Sequence, residues 1–122
     1  MGTKSKKQLA RLRRRKHIRK NIYGTADKPR LSVFRSLKHI YVQVIDDESG
    51  KTLASASTLD KELKETLKGL NKFDQAAKVG EMLAERMLEK SIKKAVFDRG
   101  GYLYHGRLSS LANSLREKGI KV

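Results

Sequence analysis

The chain reads as an α/β domain: a mixed four-stranded sheet, made of a three-strand antiparallel meander plus one parallel strand, packed by helices and preceded by a basic N-terminal helical arm. Three observations predict this. Period-2 alternation runs through Leu31–Thr58, a helical period governs Phe73–Lys90, and a short apolar run returns at Ala95–Asp98. Strand, helix, strand in succession predicts a right-handed crossover back into the sheet. The expected order is 3-2-1-4, with the fourth strand parallel to the first.

Within Lys38–Asp46, Ile40, Val42 and Val44 fall on one face, and His39, Tyr41, Gln43 and Ile45 on the other. Leu31 and Val33 alternate in the same way with Ser32, Phe34 and Ser36, and the short Ser36-Leu37-Lys38 connection predicts a hairpin. Asp46-Asp47-Glu48-Ser49-Gly50 is a second turn cluster, with Gly50 suited to positive φ, and Thr52–Thr58 follows as a third strand. The result is an apolar face without a cover. Phe73–Lys90 is the predicted cover, with Phe73, Ala76, Ala77, Gly80, Leu83, Ala84, Met87 and Leu88 on one side and Gly80 allowing close approach to the sheet. Before it, Leu59–Leu70 reads as a short helix with leucines at 59, 63, 67 and 70; Asn71 is placed to cap the helix that follows. Leu108, Leu111, Ala112 and Leu115 stripe the last helix, which Gly119 should end with Ile120 making the accompanying apolar contact.

Charge divides the chain more sharply than hydropathy. It has 122 residues, enough for one domain, no cysteine, and 29 Lys+Arg against 13 Asp+Glu for a net +16. Twelve of the cations and a single acid, Asp27, lie in residues 1–30. Residues 1–24 are therefore expected to form a basic arm and residues 25–122 a compact α/β domain, with Tyr23–Pro29 linking them. No apolar run approaches a membrane span, so the excess charge points to nucleic acid. In the arm, Lys4, Lys6, Lys7, Arg11, Arg13, Arg14, Arg15, Lys16, His17, Arg19 and Lys20 are the candidate RNA contacts. Like charges at i,i+4, such as Arg11/Arg15 and Arg15/Arg19, oppose helix formation in isolation. Disorder in the free arm and helix on neutralisation by phosphates is the expectation. An organelle transit peptide is also Arg-rich and acid-poor, but the shortage of serine and the tight run into Tyr23-Gly24 favour an RNA-binding arm.

Enzymatic constellations fail on inspection. Gly50-Lys51-Thr52 resembles the tail of a phosphate-binding loop, yet Ile45 stands where that motif needs glycine, and a strand follows in place of a helix. Asp46, Asp47 and Asp98 sit at strand ends, where carboxylates can hold metals for nuclease chemistry; turn formation for the first two and an arginine or turn-amide partner for the third explain them adequately. His17, His39 and His105 have no ligand spacing. Neither a metal nor a cofactor is expected.

Nucleic-acid binding has better material. Arg30, Arg35, Ser36, Lys38 and His39 surround the first hairpin. Phe34 and Tyr41 suit stacking on unpaired bases from the face opposite the core, and Phe34 reads equally well as core beneath the last helix. Arg99, Gly100, Gly101, Tyr102, Tyr104, His105, Gly106 and Arg107 form a loop in which glycine lets backbone approach phosphate and arginine offers a fork of donors. Nothing fits a helix-turn-helix or zinc finger for reading a DNA major groove, so DNA is not an expected partner. A free-standing RNA chaperone or coating protein is the rival class of binder.

Several blocks carry a family resemblance: Lys28-Pro-Arg-Leu-Ser-Val-Phe-Arg-Ser, Lys38-His-Ile-Tyr-Val-Gln-Val-Ile-Asp, Thr52-Leu-Ala-Ser-Ala-Ser, Ala84-Glu-Arg and Val96-Phe-Asp-Arg-Gly-Gly-Tyr-Leu-Tyr-His-Gly-Arg. Together they resemble the bacterial large-subunit ribosomal proteins of the L-eighteen family, from the arm to the C-terminus and in the same order. The resemblance implies a non-enzymatic, ribosome-bound cytoplasmic protein that binds 5S ribosomal RNA and helps attach it to 23S RNA in the central protuberance, beside neighbouring large-subunit proteins. It also implies a compact α/β domain related to the ribonuclease-H-like motif without its catalysis.

Overall fold

The computed structural model describes residues 6–98 and 106–122, with backbone alone from 14 to 21. Its elements are α1 (Lys6–Asn21), β1 (Arg30–Arg35), β2 (Ile40–Asp46), β3 (Lys51–Ser57), α2 (Lys64–Leu67), α3 (Lys72–Glu89), β4 (Val96–Asp98) and α4 (Arg107–Glu117). The sheet has the expected order β3-β2-β1-β4. β1 and β2 pair antiparallel with Phe34 opposite Tyr41 and Leu31 opposite Val44; β4 runs parallel to β1. The β2–β3 ladder slips between Val44 and Ile45, where Leu53 is the extra residue of a bulge.

Alternation decides which face is buried. Leu31, Val33, Ile40, Val42, Val44 and Ala56 join Ala76, Val79, Leu83 and Met87 of α3 and Leu108, Leu111 and Leu115 of α4 in one core. α3 starts where Asn71 accepts the Asp74 N–H at 2.9 Å, and Asp74 in its first turn and Arg86 near its end complement the helix dipole. Arg86 also anchors the helix to the sheet side: it donates to the Ser55 carbonyl at 2.6 Å and to Asp60 at 2.9 Å. At the far end of α4, Gly119 has φ 94°, its N–H donates to Arg116 O and the Ile120 N–H to Leu115 O, with Ile120 buried. This is a Schellman closure of the kind Gly119-Ile120 predicts.

The helical readings need three corrections. The segment before α3 is helical only over Lys64–Leu67; Leu63 and Leu67 are buried, but Leu59 is exposed because turns precede the helix. On α3, Phe73 and Leu88 are exposed, and Val79 takes a core place that the stripe above omitted. Gly80 faces α4 in place of the sheet. A Cβ there would lie 2.8 Å from the Leu111 carbonyl and 2.9 Å from Ser114 Cβ. The two helices cross at this point, and Ser114 and Ser110 donate to the Ala77 and Phe73 carbonyls across the contact at 2.6 and 2.9 Å.

Candidate nucleic-acid interface

Outside α1, the described residues singled out for RNA fall near the two ends of β1. At the hairpin end, a four-residue turn closes through the Ser36 N–H to His39 O (2.8 Å) and the His39 N–H to Ser36 Oγ (3.2 Å). Ser36 therefore shapes the turn with its hydroxyl. Phe34 is 54% exposed, which removes the alternative in which it is core. Its ring lies 5.8 Å from that of the half-buried Tyr41, tilted by 41°, and His39 lies 6.4 Å from Tyr41 on the other side. Three rings thus form a ledge on the open face of the sheet; in the same hairpin Arg35 and Lys38 are exposed, Arg35 with the parity of Leu31 and Val33 and so on the α4 side, near Arg107. His39 is seated by Thr58, whose Oγ1 is 3.0 Å from Nδ1 and also accepts the Ile40 N–H. Aromatic faces and cations arranged in this way offer stacking surface and phosphate neutralisation together.

Arg107 lies under the hairpin and not on its surface. It is buried and donates from one terminal nitrogen to the Ser36 carbonyl at 3.0 Å, while its buried Nε has no partner among the described residues. Burial, reinforced by the charge of Arg35, lowers its pKa from the usual guanidinium value. The expected open fork at the start of the helix is therefore largely enclosed. Gly106 ahead of it has φ 58°, and a Cβ would press on the Phe73 ring at 3.1 Å. Arg99, Gly100, Gly101, Tyr102, Tyr104 and His105, named for the same loop, lie outside the described residues.

The other end of β1 is the root of the arm. Gly24 and Asp47 bond reciprocally: the Gly24 N–H donates to Asp47 Oδ2 at 2.7 Å and the Asp47 N–H to Gly24 O at 2.9 Å. No side chain fits at Gly24, where a Cβ would be 2.3 Å from Arg30 N. Tyr23–Pro29 is thus more than a linker, since Gly24 and Pro29 are buried against the sheet. Arg30 is named among the candidate RNA contacts. It is buried, bridging Asp47 (3.0 Å) and the fully buried Asp98 (2.8 Å). The hydrogen bonds to Asp47 raise its pKa most, against desolvation and with help from Asp98. With both carboxylates engaged, its guanidinium is a structural cation. The same contacts account for the acids that resembled a metal site: Asp98 has its arginine, and Asp46 accepts from the Glu48 N–H at 3.0 Å and the Ser49 hydroxyl at 2.9 Å. Among the described residues no group of three metal-ligating side chains occurs.

Beyond this root runs α1, about 24 Å of helix by its length. Lys6 and Lys7 are exposed, Arg11 is half-buried and Arg13 exposed; Arg14, Arg15, Lys16, His17, Arg19 and Lys20 lie on its C-terminal half, and Lys4 is outside the described residues. None of the principal contacts between described elements involves α1. Two elements of the site had no usable signal in sequence. Thr58 and Asp47 reach their partners across 19 and 17 residues, through a ladder and a turn that periodicity does not specify.

Among the described residues no helix is long and apolar enough to cross a membrane. The family model described as ribosomal L18 of archaea, bacteria, mitochondria and chloroplast matches residues 5–122. Similar curated proteins include the large ribosomal subunit protein uL18 of Halalkalibacterium halodurans, 55% identical over 121 residues, and those of Bacillus cytotoxicus and Thermotoga petrophila, each 54% identical over 121 residues. In all three pairs the match covers 99% of both chains.

Proposed function

We propose, from the premise that this chain belongs to the ribosomal L18 family, that it binds 5S ribosomal RNA and helps attach it to 23S RNA in the central protuberance of the large subunit. Membership makes it a structural, non-enzymatic component of that subunit. The observation that carries the RNA reading is the Phe34–Tyr41–His39 ledge, in a hairpin that also exposes Arg35 and Lys38. Phe34 is exposed on the open sheet face and belongs to no core, and unpaired bases stack on such rings. The arm supplies the sequence-independent attraction, its cations replacing counterions on the RNA backbone. Neighbouring large-subunit proteins and a ribosome-bound, cytoplasmic location complete the reading.

Competition decides it. At fixed salt, labelled 5S RNA should be bound at least about tenfold more tightly than a folded transfer RNA, a gap of ~1.4 kcal/mol. Phe34→Ala should narrow that gap while the protein's unfolding transition stays in place. Equal affinity for both RNAs favours the chaperone or coating-protein reading instead.

A further inference from the structure

We propose that the groove walled by Lys28, Lys94, Arg116 and Lys121 is a second site for RNA backbone phosphates, at the opposite end of the sheet from the aromatic ledge. It rests on the RNA-binding reading above and concerns none of the residues that carry it. The groove has a volume of ≈ 670 Å³ and an apolar floor that includes Ala95 and Ile120, both buried. That volume is within the range of sites that hold a molecule of nucleotide size.

Its four cations come from three separate parts of the chain, and backbone hydrogen bonds hold those parts together. The Ala95 N–H donates to Lys121 O and the Lys121 N–H to Lys93 O, each at 2.9 Å, so the C-terminal residues pair alongside the approach to β4. The Val96 N–H donates to Pro29 O at 2.8 Å, which fixes the segment carrying Lys28. The Schellman closure of α4 sets Ile120 into the floor. Positive charge is thus gathered on a rigid frame, where lysines scattered over a surface would have spread apart.

Local counter-charges leave a surplus. Lys94 pairs with Asp27 at 3.1 Å in an exposed bridge, and Arg116 donates twice to the Val122 main-chain oxygen at 3.2 Å. Among the described residues neither Lys28 nor Lys121 has an ion-pair partner, and both are exposed. A polyanion is the complementary occupant. RNA is favoured over an acidic protein segment by continuity: Lys28 closes the Thr25–Lys28 turn directly after Gly24, so the groove opens beside the root of the basic arm. Only Thr25, Ala26 and Asp27 separate Gly24 at that root from Lys28 along the chain. The ledge and the groove are separated by the length of β1, roughly 17–20 Å for its six residues.

Two measurements test this. Lys28→Gln/Lys121→Gln removes two cations whose backbone contacts survive the change. The slope of log affinity against log salt should fall by about 1.4–1.8 for 5S or 23S RNA, two phosphates at ~0.7–0.9 each, and thermal unfolding of the free protein should not move. Because the chain has no cysteine, Lys121→Cys carrying an iron chelate gives a single source of hydroxyl radicals. It should cut RNA at nucleotides different from those cut by the same probe at Lys38→Cys. Unchanged slopes with both RNAs, as an acidic protein occupant predicts, overturn the proposal, and so does cleavage from position 38 alone. Failure of the unaltered protein to bind either RNA overturns the proposed function instead.

Discussion

α1 and α3 are helices of similar length, 16 and 18 residues, held in place by different forces. α3 has a side-chain cap at Asn71, an acid in its first turn, a buried stripe and an arginine tied to β3. α1 has no acid in its first turn, exposes Leu9, and carries like charges at i,i+4. α3 is stabilised by burial and would be lost with the core. α1 takes no part in the principal contacts between described elements, and its net positive charge is complementary to a polyanion. The two helices thus differ in what tertiary packing contributes to them, and the root at Gly24 is where the two regions meet.

The largest test of that division is at the root. Arg30→Met should leave the buried Asp98 without a partner and lower unfolding free energy by about 3–5 kcal/mol, the range for breaking a buried ion pair from one side. Chemical denaturation measures it. A loss under 1 kcal/mol would show that Arg30 is not the structural cation its burial indicates.

Next in size is the α3–α4 crossing. Gly80→Ala gains up to ~1 kcal/mol of helix propensity but drives a methyl into the Leu111 carbonyl and Ser114. Overpacking of this kind costs typically 1–3 kcal/mol, so after the propensity gain a net loss of up to about 2 kcal/mol is expected from the midpoint of unfolding. A stabilised variant would mean that the helices separate easily and that α3 is held mainly by the sheet. Asn71→Ala removes the cap of α3 and should cost about 1 kcal/mol.

The smallest effect on stability should come from the largest deletion. Removing residues 1–20 takes away ten cations yet leaves Gly24, Arg30 and the whole core. Unfolding free energy should change by less than ~0.5 kcal/mol, the range for surface changes away from special features. RNA affinity and its salt dependence should both fall, each lost phosphate contact lowering the log–log slope by ~0.7–0.9. Hydrogen exchange sharpens the point: backbone amides of Lys6–Asn21 should exchange quickly in the free protein and slow when RNA is added. Strong protection without RNA would show that α1 packs on the globule, and the contrast with α3 would disappear.

By itself the sequence determined which residues face inward along β1 and β2, the return of Val96–Asp98 beside β1, the cap at Asn71 and the stop at Gly119. Each follows from local chemistry: a period of two, the right-handed crossover, a side-chain oxygen at a helix start, a glycine at positive φ. Parity set Phe34 and Tyr41 opposite Val33 and Val42, but sequence left Phe34 equally suited to a core beneath the last helix, and its exposure in the fold decided for a surface ledge. Only the tertiary structure decided which cations are available. Arg30 and Arg107 look like any other arginine in a count of charge, but Arg30 is enclosed by acids 17 and 68 residues away, and Arg107 by a hairpin 71 residues away. The groove shows the converse, because Lys28, Lys94, Arg116 and Lys121 become one site only after three segments are joined by backbone hydrogen bonds. Long-range electrostatics depends on distance in space, and composition records only distance along the chain.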